Sequence, residues 1–325
     1  MSLAGKQNEK IYVAGHRGLV GSAIVKKLNA LGFCNIVTRN HAELDLTNQS
    51  DVVDFFSSER PGYVFLAAAK VGGIAANSNY PADFIYQNMM IGFNVVHAAY
   101  KTGVKKLLNL GSSCIYPRMA NQPLKEEYLM TGALEPTNDA YAVAKIAVIK
   151  LCAAYNKQHG TNYISVMPAN LYGPEDTYDT ENGHVLPSMI CKFHAAKISG
   201  TDSVTLWGDG TPYREFLYSE DLADALLFLM QNKNARDTGE FVNIGTGADL
   251  TISELAEIVR RVVYADSPGR ICQIEWDASK PNGTPRKLLD ISRLAAWGWR
   301  AKTRLEEGIA RTYACFCGKR GSDLT

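Results

Sequence analysis

Near the N-terminus, a β-rich run at 10–14 passes directly into Gly15-His16-Arg17-Gly18-Leu19-Val20-Gly21, and a helical pattern begins at Val20. Glycines at such a turn let the backbone double back tightly, and the helix N-terminus behind them offers free N–H groups and a positive dipole. A glycine-rich turn between a first strand and a first helix therefore predicts a parallel α/β sheet whose first crossover faces an anionic ligand, a pyrophosphate above all.

The rest of the first half keeps this rhythm. Apolar β-rich runs at 35–39, 63–67, 106–110 and 164–167 alternate with helical patterns at 20–31, 49–58, 81–102 and 139–158, and a late strand is expected at 241–244. Strands separated by helices predict a Rossmann-type doubly wound parallel sheet. After Pro168 the pattern loosens, with a polar loop at 173–183, a helix at 184–199, a strand at 204–207, helices at 219–231 and 251–264, and a turn-rich run at 277–284. Residues 1–170 with roughly 214–248 are expected to form the dinucleotide-binding domain, and roughly 171–213 with 249–325 a smaller α/β substrate domain. The polar residues 1–9 are expected to lie outside the fold.

Composition excludes several partners. A formal net charge of +1 provides no global field for nucleic acid or an acidic membrane. No apolar run approaches the roughly 18 residues that a spanning helix needs. The seven cysteines form no C-x-x-C pair, which suits a reducing cytoplasm, and the six histidines show no ligand spacing, so no metal is expected.

Dinucleotide sites of this kind that take NAD usually place an acid after the second strand to hold the ribose 2′-hydroxyl. Here that stretch reads Thr38-Arg39-Asn40-His41, with no acid before Glu43. Arg17 and Arg39 suit a 2′-phosphate instead, because guanidinium binds phosphate oxygens bidentately. NADP(H) is the expected cofactor.

Tyr141 and Lys145 lie four apart on the predicted 139–158 helix and so share a face. An ammonium beside a phenol is expected to lower its pKa, making Tyr141 a general acid toward a carbonyl oxygen. Lys145 can also hydrogen-bond the nicotinamide ribose. Ser112, in Gly111-Ser112-Ser113-Cys114 beyond the fourth strand, would polarise the same oxygen at the strand end where such sheets bind ligands.

Glycine turn, serine and Tyr–Lys pair, in that order, resemble the extended short-chain dehydrogenase/reductases. The strings Ala14-Gly15-His16-Arg17-Gly18, Leu66-Ala67-Ala68-Ala69-Lys70-Val71-Gly72-Gly73-Ile74, Gly111-Ser112-Ser113-Cys114-Ile115-Tyr116-Pro117 and Trp207-Gly208-Asp209-Gly210-Thr211-Pro212 are similar to the GDP-L-fucose synthases. So are Arg214-Glu215-Phe216 and Asp277-Ala278-Ser279-Lys280-Pro281. The resemblance implies NADPH-dependent conversion of GDP-4-keto-6-deoxy-D-mannose to GDP-L-fucose, by epimerisation at C3 and C5 and then reduction at C4. It assigns Ser112, Tyr141 and Lys145 to reduction, and Cys114 and His184 to proton transfer. It places the cofactor on Gly15 to Gly21, on Arg39, Asn40, His41, Asp45 and Leu46, on Leu110, Gly111, Ser112 and Ser113, and on Tyr141, Lys145, Pro168, Ala169, Asn170, Leu171 and His184. Lys192, Trp207, Arg214, Asn282 and Lys287 fall at substrate-contact positions. Two departures stand out. The family often has a second arginine where this chain has His41, and position 282 is commonly Asp.

Thiol and imidazole suit the implied chemistry. A C4 ketone acidifies the protons on C3 and C5, and groups with ordinary pKa values near 8.5 and 6.5 exchange protons around neutrality. Cys114 lies two residues beyond Ser112, so an extended segment would aim both side chains into one site. The apolar residues around the 81–102 helix are expected to join the 139–158 helix in a homodimer interface. Alternative readings are another nucleotide-sugar enzyme, a 4-epimerase or 4,6-dehydratase, and a non-catalytic NADP-binding regulator.

Overall fold

The computed structural model describes residues 3, 5–180, 183–267 and 269–322. A six-stranded, all-parallel sheet organises the first half. It comprises β1 (Ile11–Ala14), β2 (Ile36–Val37), β3 (Tyr63–Leu66), β4 (Lys106–Leu110), β5 (Tyr163–Pro168) and the late β9 (Val242–Ile244), in the order β2-β1-β3-β4-β5-β9. Every residue of β1, β3, β4, β5 and β9 is buried. Such continuous apolar runs follow from helices covering both faces. Alternation along each strand divides the covers. Ile11, Val13, Tyr63 and Phe65 pack with α1 (Leu19–Ala30) and α7 (Ser219–Asn232). Tyr12, Ala14, Val64 and Leu66 pack under α2 (Gln49–Glu59), α4 (Pro81–Lys101) and α5 (Asp139–His159). The sheet is doubly wound, as the sequence predicts.

The second half forms smaller sheets. β8 (Tyr213–Tyr218) pairs antiparallel with β10 (Asp249–Thr251) and parallel with β12 (Arg286–Lys287) and β6 (Asn170–Tyr172), while β7 (Ser203–Trp207) pairs with β11 (Gln273–Asp277). Around them pack α6 (Val185–Ser199), α9 (Ile252–Val263) and α11 (Leu305–Ser322), through Phe193, Leu255, Val259, Ile309 and Phe316. Thr251 and Glu254 begin α9 with a reciprocal capping box. Short helices α3 (Ile74–Asn79), α8 (Ala235–Thr238) and α10 (Ser292–Ala296) complete the fold.

Two expectations change. The return of 214–244 to the large sheet begins at Ser219, because β8 belongs to the small sheet. Period-two alternation makes β8 a seam, with Leu217 in the core under α7 and Phe216 and Tyr218 in the other core. The polar leader also packs: Leu3 is buried, Glu9 pairs with Lys105 at 2.7 Å, and Lys6 reaches the Tyr63 hydroxyl at 3.4 Å.

Candidate active site

The chain leaves β1 at the point where the strand order reverses between β1 and β3, and Gly15 turns there with φ +80°. A Cβ at Gly15 would lie 2.7 Å from the Ala68 nitrogen, and one at Gly21 only 2.1 Å from the Gly15 oxygen. Side chains are thus excluded where a phosphate must approach. Gly18 is the N-cap of α1 and supplies no side-chain cap, so the helix N-terminus is left to an anion. These features fit a dinucleotide pyrophosphate.

The two arginines are not equivalent. Arg17 is exposed, whereas Arg39 is anchored: Nη1 donates to Thr38 O at 2.8 Å and Nη2 pairs with Glu59 at 2.6 Å. Beyond it, Asn40 Oδ1 accepts from the Ala42 and Glu43 amides, shaping the turn that carries His41. Asp45 faces His41 at 3.8 Å, and hydrogen bonds from Thr47 hold its carboxyl below the usual range. Leu46 is buried.

At the end of β4 the backbone is crowded, since a Cβ at Gly111 would meet the Met167 methyl at 1.9 Å. Ser112 is extended, but Ser113–Ile115 forms a 3₁₀ turn. Cys114 is therefore aimed by a tight turn and not by the extended segment the spacing suggests. Both side chains still reach one cleft, where Ser112 hydrogen-bonds to Cys114 and to Tyr141. Tyr141 also packs edge-on against Phe84, with ring centroids 6.1 Å apart.

Lys145 corrects a second expectation. Its ammonium donates to Leu110 O at 2.9 Å and sits 5.7 Å from the centre of the Tyr141 ring. Burial dominates both groups, raising the Tyr141 phenol above its ordinary value and lowering Lys145 to about 8. In the ligand-free protein Tyr141 therefore holds its proton firmly. That suits an acid which must remain protonated until a developing alkoxide takes the proton.

His184 is the N-cap of α6, one position before the helix proper, and opens onto the same cleft. Solvent reaches its ring, yet the packed surroundings and then the charge of Lys287 lower its pKa. Lys192, Trp207, Arg214, Asn282 and Lys287 line the cleft too. Lys192 donates to Thr205 O at 3.0 Å and lies 5.9 Å from the Trp207 ring, which Lys280 approaches to 5.2 Å. Arg214 leans on the neighbouring turn, donating to Asn282 O at 3.3 Å. Asn282 Oδ1 accepts from the Asp209 amide at 3.1 Å, a bond that a carboxylate could equally accept. Position 282 thus supports the Gly208–Gly210 turn whether it carries Asn or Asp. Pro168 ends β5, the Ala169 amide bonds to Ile244 O, and Asn170 bonds to Glu215 O, which fixes the segment through Leu171 beneath the cleft.

Glu135 was not singled out by sequence. It is buried and is the one carboxylate among the cleft-lining residues described. Arg118 pairs with it at 3.2 Å, and the Thr137 and Thr284 hydroxyls donate to it at 3.2 and 3.4 Å. Its placement before Pro136 resembles any turn; only burial distinguishes it.

Residues 11–245 match the NAD dependent epimerase/dehydratase family. The chain is 56% identical to GDP-L-fucose synthase 1 of Arabidopsis thaliana over 313 residues, covering 96% of this chain and 94% of that protein. It is 51% identical to GDP-L-fucose synthase of Escherichia coli (strain K12), covering 95% and 96% respectively. Among solved structures, MlghC, the GDP-mannoheptose C4 reductase from Campylobacter jejuni with NADP bound, superposes with a TM-score of 0.87 at 41% identity, covering 96% of this chain and 99% of that one.

Proposed function

The chain belongs to the NAD dependent epimerase/dehydratase family and, within it, to the GDP-L-fucose synthases, and from that premise we infer how one cleft carries two kinds of chemistry. It is an NADP-dependent epimerase and reductase that converts GDP-4-keto-6-deoxy-D-mannose to GDP-L-fucose. The observation that carries the site assignment is the hydrogen-bonded set Ser112, Tyr141 and Cys114, with His184 in the same cleft. The alternatives, a 4-epimerase or 4,6-dehydratase and a non-catalytic regulator, find no support in these similarities.

Epimerisation begins when a base removes the proton from C3 or C5. The electron pair left on carbon delocalises onto the C4 oxygen, where Ser112 and Tyr141 donate hydrogen bonds. Return of a proton to the opposite face inverts the centre. Cys114 and His184 supply this pair of groups. Bound NADPH supplies the hydride for C4. Tyr141 gives its proton to the C4 oxygen, Ser112 holds that oxygen, and Lys145 orients the cofactor ribose. Arg214, Lys192 and Lys287 meet the diphosphate, and Trp207 offers an aromatic surface to the nucleotide. Incubation with NADPH and a panel of nucleotide 4-keto-6-deoxy sugars, followed by NMR of the products, tests the whole reading: GDP-L-fucose is expected, and absence of any turnover would refute it.

The 2′-phosphate rests on Arg17 and Arg39 in this reading. NADPH should bind far more tightly than NADH, and Arg39→Ala should narrow the gap by about 1–3 kcal/mol. Fluorescence titration of both cofactors measures this. Equal narrowing is not expected from Glu59, which anchors Arg39 without facing the phosphate.

We also propose a homodimer and a cytoplasmic location. The outer face of α4 presents Tyr86 and Phe93, and α5 presents Val143, all exposed large apolar side chains on two helices that pack together. Two copies of this pair would bury them in a four-helix contact. Sedimentation should give twice 35.6 kDa, and Phe93→Glu should shift it toward the monomer. No described helix is long and apolar enough to cross a membrane. The scattered free cysteines suit a reducing compartment.

A further inference from the structure

Lys287 is the cleft cation whose charge has no assigned counterpart. β12 sets it beside Arg214 in register on β8. The strand is pinned immediately afterwards, since the Leu288 amide donates to Gln122 at 2.9 Å and the Leu289 amide to Glu215 at 2.9 Å. Its side chain lines the same cleft as Cys114 and His184. Among the described residues no carboxylate lies within ion-pair distance of its ammonium, although Arg118 holds Glu135 and Lys192 sits over Trp207. An interior ammonium without a partner is costly unless something anionic forms beside it.

Two groups able to carry negative charge face it from within the cleft, Cys114 and Glu135, and Cys114 interacts with it more strongly. The relation is mutual. Burial pushes the Cys114 thiol up, and Lys287 is the foremost group opposing that rise, ahead of the Ser112 hydrogen bond and Lys145. Lys287 is likewise the one charge that bears on His184, favouring its neutral ring. The groups around the sulfur are thus Tyr141 and Lys145 on α5, Ser112 before the 3₁₀ turn, His184 at the start of α6, Lys287 on β12 and Arg214 on β8, with Glu135 as the opposing acid.

We propose that Lys287 is a positioning residue for epimerisation, the counter-ion whose ammonium stabilises the Cys114 thiolate that takes a proton from the sugar carbon. This rests on the epimerase reading of the cleft and adds to the diphosphate contact suggested by resemblance. In the step, the C–H bond breaks, the proton moves to Sγ, and the electron pair passes to the C4 oxygen held by Ser112 and Tyr141. The ammonium keeps its own protons throughout. Glu135 moderates the effect by sharing the field of Lys287.

The test needs no sugar, so its failure is distinguishable from failure of the functional reading. The ultraviolet thiolate band of Cys114, taken as the difference between the enzyme and its Cys114→Ser variant, is titrated against pH with NADPH binding monitored in parallel. Lys287→Met should move the midpoint up by about 1 pH unit or more, leaving about ten-fold less thiolate at neutral pH. Lys287→Arg should restore it. Glu135→Gln, which removes the opposing acid, should move it down and provides a reading even if Lys287→Met does not fold. With the sugar present, deuterium wash-in at C3 and C5 should fall in Lys287→Met by a similar factor at saturating substrate. An unchanged midpoint in Lys287→Met, or in Glu135→Gln where the lysine variant does not fold, would overturn the proposal and leave Lys287 as a diphosphate ligand only.

Discussion

Tyr141→Phe should lower NADPH oxidation by about 10²–10⁴-fold while NADPH binds as before. The substitution keeps the ring and its edge-on contact with Phe84 and deletes only the hydroxyl that meets Ser112. That loss corresponds to about 3–5 kcal/mol of barrier. Because burial holds the phenol protonated, the reduction rate should show no acidic or neutral limb from Tyr141. A basic limb is expected instead. Lys145 loses its charge above about pH 8 and with it the orientation of the ribose. Stopped-flow hydride transfer on a 4-keto sugar, followed against pH, reads both effects. Near-normal turnover in Tyr141→Phe would mean that another group protonates the C4 oxygen.

Much of this architecture is legible in the chain because parallel sheets write a redundant code. Buried on both faces, β1, β3, β4, β5 and β9 appear as uninterrupted apolar runs, and the crossover helices recur between them. Small-sheet strands are harder to see. β6, β10 and β12 are two or three residues long, with partners such as Arg286↔Tyr213 that only the fold brings together. The residues of the cleft follow the same division. Ser112, Tyr141 and Lys145 are visible because strand end and helix spacing define them locally. Glu135, with Arg118 and Thr284 as partners, depends on burial and long-range contact. The expected lowering of the Tyr141 phenol failed for a related reason. Spacing places Lys145 on the same helix face, but Leu110 O draws the ammonium away from the hydroxyl, and burial then decides the direction.

In D₂O with oxidised cofactor, the unmodified enzyme should wash deuterium into the 4-keto sugar at both C3 and C5, since removal and return of those protons needs no hydride. Cys114→Ser replaces the thiol with a hydroxyl, which is a far poorer base, and exchange should slow by at least about 10²-fold. Packing should survive, because the side chain is nearly isosteric and Ser112 remains its hydrogen-bond neighbour. His184→Gln keeps a polar N-cap residue ahead of α6, whose side chain makes no cap bond in any case, but it cannot shuttle a proton near neutrality. Burial and Lys287 favour the neutral ring of His184 at rest, so its variant should stall inversion more at neutral pH than under acidic conditions, where solvent can deliver protons. With NADPH supplied, both variants retain Ser112, Tyr141 and Lys145. They should therefore reduce ketone that has not been inverted, yielding a 6-deoxyhexose of the wrong configuration by NMR. The two activities would then separate along the residues themselves, with the 3₁₀ turn and the start of α6 serving carbon and the Tyr–Lys face of α5 serving oxygen. Full exchange and normal product from both variants would show instead that Cys114 and His184 only pack the cleft, leaving a reductase whose epimerising groups lie elsewhere.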